Sequence, residues 1–289
     1  MSSSTPSSSL PLDPEDRFDL PAQLPATLPD DPATADELAV TLDAGVATLW
    51  LNRPAKRNAV TFAMWQGIGA ICEQLGSRSD VRMLVVRGVG DHFCAGADIS
   101  GLVDMTMADY HRANRRADEA LASFPRPTVA HVTGSCIGGG AEIATGCDLR
   151  IASDDAVFGI TPAKLGILYP TGAVARVTRL IGPSATKHLL YTGEIVDAER
   201  ALRTGLVDEV HPRAEVEARL AQLCDTIAHQ RSLLTQMGSK LAVDAVSEGR
   251  VLDPELEAHW LGLVETAGDK AEGIAAFAEK RAPRFTWAP

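Results

Sequence analysis

The chain has 289 residues, 45% hydrophobic and 22% charged, with a formal net charge of −11 and a pI near 5.1. That is ample material for a real core. The acidic balance argues against broad nucleic-acid or anionic-membrane binding, since both need a basic face.

Residues 1–36 read as a tail too rich in Ser, Pro and Asp to pack, with neither the basic nor the apolar region of a secretory signal. Order is expected from Leu38. ELAVTLDAGVATLWLN carries two alternating apolar runs around Asp43-Ala44-Gly45, the pattern of a hairpin. NRPAKRNAV is a polar turn, and Thr61 is placed to cap a helix reaching Leu75, with Met64, Ile68, Ile71 and Leu75 at helical spacing. VRMLVVRG reads as a buried strand, and GVGDHFCAGADISGL as a loop too apolar to be a mere linker. A helix over 107–124 is stopped by Pro125 and Pro127, which lead into a strand over 128–132.

TVAHVTGSCIGGGAEIATGCD, residues 128–148, reads as strand, tight turn and helix. Gly138, Gly139 and Gly140 allow close backbone approach, and a helix starting there has free N–H groups fit to hold a negatively charged oxygen. Glu142 stands one turn in. The same glycines would equally serve close packing of a helix on a strand, and Glu142 would equally favour the helix dipole. DLRIASDDAVFGI adds short strands, so strand pairs and helices alternate as stacked ββα units. From Thr171 the pattern is mostly helical, with Gly182, Gly193 and Gly205 as stops and DEVH at 208–211 as a short strand. The apolar stripes over 220–227 and 274–277 suit packing on a neighbouring subunit or on the chain's own domain.

No apolar run approaches the ~18 residues of a membrane span. Five scattered cysteines without CxxC spacing argue against a disulfide scaffold or structural zinc, and seven histidines without HxxxH pairing argue against any metal site. The expected setting is cytoplasmic. Residues 138–143 lack the third glycine of a dinucleotide fingerprint, and no GxSxG run is present.

LNRPAKRNAV, FCAGADI, GSCIGGGAEIATGCDLRIAS, FGITPAKLGI and TGEIVDAERALRTGLVDEV occur in one order at near-regular intervals. Together they resemble the crotonase (enoyl-CoA hydratase/isomerase) superfamily, from about Leu38 to Phe285. The resemblance implies an α/β crotonase (ClpP/crotonase-like) fold of stacked ββα units, with a core over 37–212 and a helical oligomerisation region over 213–289. It implies an acyl-CoA substrate of fatty acid metabolism, with coenzyme A as part of the substrate and no other cofactor. It also implies an assembly as a homotrimer or hexamer.

By motif position the resemblance makes the N–H groups of Ala97 and Gly139 an oxyanion hole for the thioester oxygen, with Glu142 as acid/base. Lys56, Ala59, Ala95, Asp98 and Ile99 are implied to bind CoA, and Phe277 and Lys280 to reach it from a neighbouring subunit. One departure matters. Hydratases of the family use a second glutamate in FGxPE, and here FGITP places Pro162 at that position. TPAKLGILY resembles methylmalonyl-CoA decarboxylase-type members, in which a tyrosine, here Tyr169, lies close to the substrate carboxylate. Those members can carry a histidine where this chain has Ala97. The reading is therefore an enoyl-CoA hydratase/isomerase-type enzyme, with an acyl-CoA decarboxylase or a non-catalytic CoA-binding homologue as alternatives.

Overall fold

The computed structural model describes residues 20–28, 36–102 and 106–289. The hairpin forms where the turn residues place it: β1 (Leu38–Asp43) and β2 (Val46–Leu51) pair antiparallel across Ala44 and Gly45, both at positive φ. β2 then pairs parallel with β3 (Met83–Gly88), β3 with β4 (Thr128–Val132), β4 with β6 (Leu149–Ser153), and β6 with β9 (Glu209–His211). The six-stranded sheet so formed runs β1-β2-β3-β4-β6-β9. A second sheet of three short strands joins β5 (Ser135–Ile137), β7 (Val157–Gly159) and β8 (Ile195–Asp197).

The central strands are buried on both faces, hence their continuous apolar runs. Leu84 and Val86 of β3 face the main core, under α1 (Phe62–Gly76) and α2 (Met107–Ala122). Met83 and Val85 face the opposite layer, with Val129, Ile151 and Leu220, under α6 (Val216–His229). Helices therefore cover both sides of the sheet. Thr61 caps α1 as its position requires, its hydroxyl accepting from Met64 N at 3.2 Å.

α3 (Gly139–Gly146) follows β5, and α4 (Thr171–Thr192) is bent at Gly182-Pro183, where the sequence places a helix stop. α5 (Ala198–Thr204) joins β8 to β9, and α7 (Leu233–Ser247), α8 (Pro254–Thr266) and α9 (Asp269–Glu279) complete the helical end. Residues 20–28 correct the expectation of a tail too polar to pack. Leu20 and Leu24 lie against the core, Leu20 N donates to Gln74 Oε1 at 2.8 Å, and Pro25 O accepts from Leu42 N at 2.8 Å. The remainder of the expected tail, 1–19 and 29–35, lies outside the described residues.

Candidate active site

The glycine turn and the loop after β3 meet at one place. Gly138 has φ 53° and ψ −112°, a conformation that only glycine adopts without strain, and it turns the chain from β5 into α3. Gly140 sits so close to the loop that a Cβ there would stand 2.4 Å from Cys94 O. Opposite, Val60 bridges the loop in parallel fashion: Val60 N donates to Gly96 O, and Asp98 N to Val60 O, each at 2.8 Å. Extended backbone alternates its amide directions, so Ala97 N–H points away from Val60, towards α3. A Cβ built on Gly139 would lie 3.4 Å from Ala97 N, and one on Gly96 would lie 3.9 Å from Gly139 N. No described residue accepts a hydrogen bond from either N–H. Two free amides converge beside a helix N-terminus, an arrangement suited to an oxygen that develops negative charge.

Glu142 of α3 is buried, at 2% relative exposure. Its carboxylate does not cap the helix; Oε2 accepts from Asn114 Nδ2 of α2 at 3.0 Å, and Oε1 has no hydrogen-bond partner among the described residues. Burial, and then the neighbouring Asp118 carboxylate, push its pKa up to about 8, against the smaller opposing effects of Asn114 and Arg176. Asp118 is itself buried and ion-paired with Arg176 of α4. Burial outweighs that partner and raises Asp118 above the ordinary carboxylate range. A carboxyl that keeps its proton near neutrality, beside two unengaged amide donors, suits proton transfer to or from carbon.

Pro162 is buried and starts a tight turn over Pro162–Lys164, and its carbonyl accepts from Leu165 N at 3.0 Å and Ile167 N at 3.2 Å. That turn returns the chain so that Tyr169 Oη donates to Gly138 O at 2.9 Å. Tyr169 therefore lies at the site, half-buried, with its proton engaged by the backbone. Among the described residues no group of three or more His, Cys, Asp or Glu is arranged to hold a metal ion.

The residues expected to bind CoA lie along one rim. Ala95 N donates to Arg57 O at 2.9 Å, which joins the NRPAKRNA turn to the AGADI loop beside Ala59. Lys56 and Arg57 are exposed and no described carboxylate pairs with them, while Ile99 projects outward. The Asp98 carboxylate is already engaged. Hydrogen bonds from Ser100 and Arg53 hold its pKa down to about 2, so its side chain shapes the loop. Phe277 and Lys280 sit on the exposed side of the α9 end, and no described residue covers Phe277, which is 89% exposed. Tyr110 of α2 is buried and accepts from Trp65 Nε1 at 3.1 Å.

Asn58 holds the rim together from a fully buried position at φ 57°, donating to Val89 O and His92 O at 3.0 and 2.6 Å and accepting from Arg53 N at 2.9 Å. Asn58→Ala takes the donor from the Val89 and His92 carbonyls, one bond buried and one partly so, and is expected to cost about 2–4 kcal/mol of stability, measured by urea unfolding. A loss below about 0.5 kcal/mol would contradict this role.

Asn114, Asp118 and Arg176 were not anticipated from the sequence. A signal existed: Asn114 and Asp118 fall within the buried stripe of Tyr110, Ala113, Ala117 and Leu121 on α2. Polar residues on an inward stripe need buried partners.

A model of the enoyl-CoA hydratase/isomerase family matches residues 41–287. Over 255 residues the chain is 35% identical to a probable enoyl-CoA hydratase of Mycobacterium tuberculosis, covering 88% of this chain and 99% of that protein. It is 32% identical over 248 residues to a crotonyl-CoA hydratase of Syntrophomonas wolfei, covering 83% of this chain and 94% of that protein. The crystal structure of an enoyl-CoA hydratase from Bacillus anthracis superposes with a TM-score of 0.78 at 28% identity, covering 86% of this chain and 99% of that one.

Proposed function

The chain belongs to the enoyl-CoA hydratase/isomerase family, within the crotonase superfamily, and is an acyl-CoA lyase or isomerase; from that premise we propose how its own residues act. Ala97 N–H and Gly139 N–H bind the thioester oxygen and stabilise it as the enolate forms. Glu142 is the single acid/base that moves the proton on carbon. The observation that carries this reading is the convergence of two free amides next to a buried carboxyl. Lys56, Ala59, Ala95 and Ile99, with the Asp98 backbone, form the CoA rim, and coenzyme A enters as part of the substrate. We further propose a cytoplasmic homotrimer or hexamer, in which α9 presents Phe277 and Lys280 to a neighbouring subunit. The exposed Ile274 and Phe277 support that arrangement, and the five free cysteines support a reducing compartment.

Mixing the protein with crotonyl-CoA and following loss of the conjugated thioester absorbance tests hydration. No turnover above background, with Glu142→Ala making no difference, would refute it. A second reading has one specific observation behind it. Glu142 holds a proton near neutrality, which fits the resemblance that aligns Pro162 with the second glutamate of hydratases. In decarboxylation of a malonyl-type thioester, the C–C bond breaks, its electron pair passes to the enolate oxygen, CO2 leaves, and Glu142 protonates Cα. The pH profile separates the two. A rate limited by Glu142 as base rises towards about pH 8, whereas one limited by Glu142 as acid falls through about pH 8.

A further inference from the structure

We propose that Tyr169 is a positioning residue of the oxyanion hole, acting through the peptide group between Gly138 and Gly139. The inference rests on the proposed role of Gly139 N–H as an oxyanion donor. That N–H and Gly138 C=O belong to the same amide. Gly138 O accepts from Glu142 N at 3.0 Å, the first bond of α3, and from Tyr169 Oη at 2.9 Å. A donor at an amide oxygen draws electron density towards it and leaves the N–H on the other side of the amide a stronger donor. Such cooperative strengthening is about 10–30% per bond.

The same bond fixes direction. Gly138 has no side chain to hold it, and its N–H is anchored on Gly159 O at 2.8 Å. The bonds from Glu142 N and Tyr169 Oη to Gly138 O hold the Gly138–Gly139 amide from α3 and from the loop before α4, while the Gly159 bond fixes the preceding amide on β7. Pro162 explains how Tyr169 arrives: the turn it starts, closed by Leu165 N and Ile167 N, brings the chain back over Gly138. Position 162 thus contributes to the site as a turn former. A phenol has one proton to donate. With that proton on Gly138 O, Tyr169 has none left for the substrate carboxylate close to which the resemblance places it.

The test uses butanoyl-CoA labelled with carbon-13 at the thioester carbonyl, a saturated chain that cannot be hydrated, and infrared difference spectra of the bound state. The wild-type protein should lower the carbonyl stretch relative to free ligand. Tyr169→Phe should lower it less and reduce kcat by about 3–10-fold at unchanged KM. Replacing Tyr169 alone with 3,5-difluorotyrosine, a stronger donor of the same shape, should lower the stretch further. This also decides the matter if Tyr169→Phe fails to fold. Equal stretches in all three proteins, or a change confined to KM, would overturn the proposal. Tight binding with no lowering in the wild type would instead remove the oxyanion hole itself, and with it this role.

Discussion

Gly139→Val is expected to lower kcat/KM for any acyl-CoA substrate by about 10²–10³-fold, the cost of losing one oxyanion donor. The donor is backbone, so no substitution deletes it, but access to it can be blocked. A first carbon on residue 139 already stands 3.0 Å from Trp65 Cζ2 and 3.4 Å from Ala97 N. The two branched methyls of valine extend into the gap between the amides. Gly139 is a helical residue without positive φ, so the backbone accepts the change and loss of activity should exceed loss of stability. Steady-state kinetics beside circular dichroism would show this. Activity within about fivefold of wild type, in a folded protein, would mean that the thioester oxygen binds elsewhere.

Glu142→Gln is expected to reduce kcat by about 10²–10⁴-fold with acyl-CoA still bound, because the amide keeps the shape but moves no proton. Its effect on stability has the opposite sign. The Glu142 carboxyl rises from an ordinary value of 4.5 to about 8 in the folded state. Between those values the unfolded chain has released this proton and the folded chain retains it. Stability therefore falls as pH rises through that window, by up to ~1.4 kcal/mol per pH unit, and levels off outside it. Glutamine does not titrate. The variant should match the wild type near pH 4.5 and become progressively more stable towards pH 8. Urea midpoints across that range measure the gap, and a gap independent of pH would show that Glu142 enters the fold ionised.

Much of the architecture is written locally. Asp43-Ala44-Gly45 sets the hairpin, Thr61 starts α1, and the apolar runs of β3 and β4 mark strands buried on both faces. β5 and β8 escape such reading because three residues carry no period and their pairing comes from β7, which is distant in sequence from β8. The site divides the same way. Ala97, Gly139 and Glu142 lie in dense local motifs, whereas Asn114, Asp118 and Arg176 gain their meaning from partners on other helices. The Tyr169 hydroxyl belongs to that second class. Its proximity to the site follows from the motif, but its engagement with Gly138 O depends on where the Pro162 turn returns the chain.

The bridge between Val60 and Ala97 has a further consequence. Amide directions alternate across this bridge, so Ala97 N–H points towards α3 only while Gly96 and Asp98 remain in phase with Val60. Inserting or deleting a single residue just ahead of Ala97 would present the next amide to Val60 and turn this donor away, whatever the identity of the added residue. At this half of the site the spacing of the chain, more than the side chain at residue 97, sets the direction of the donor.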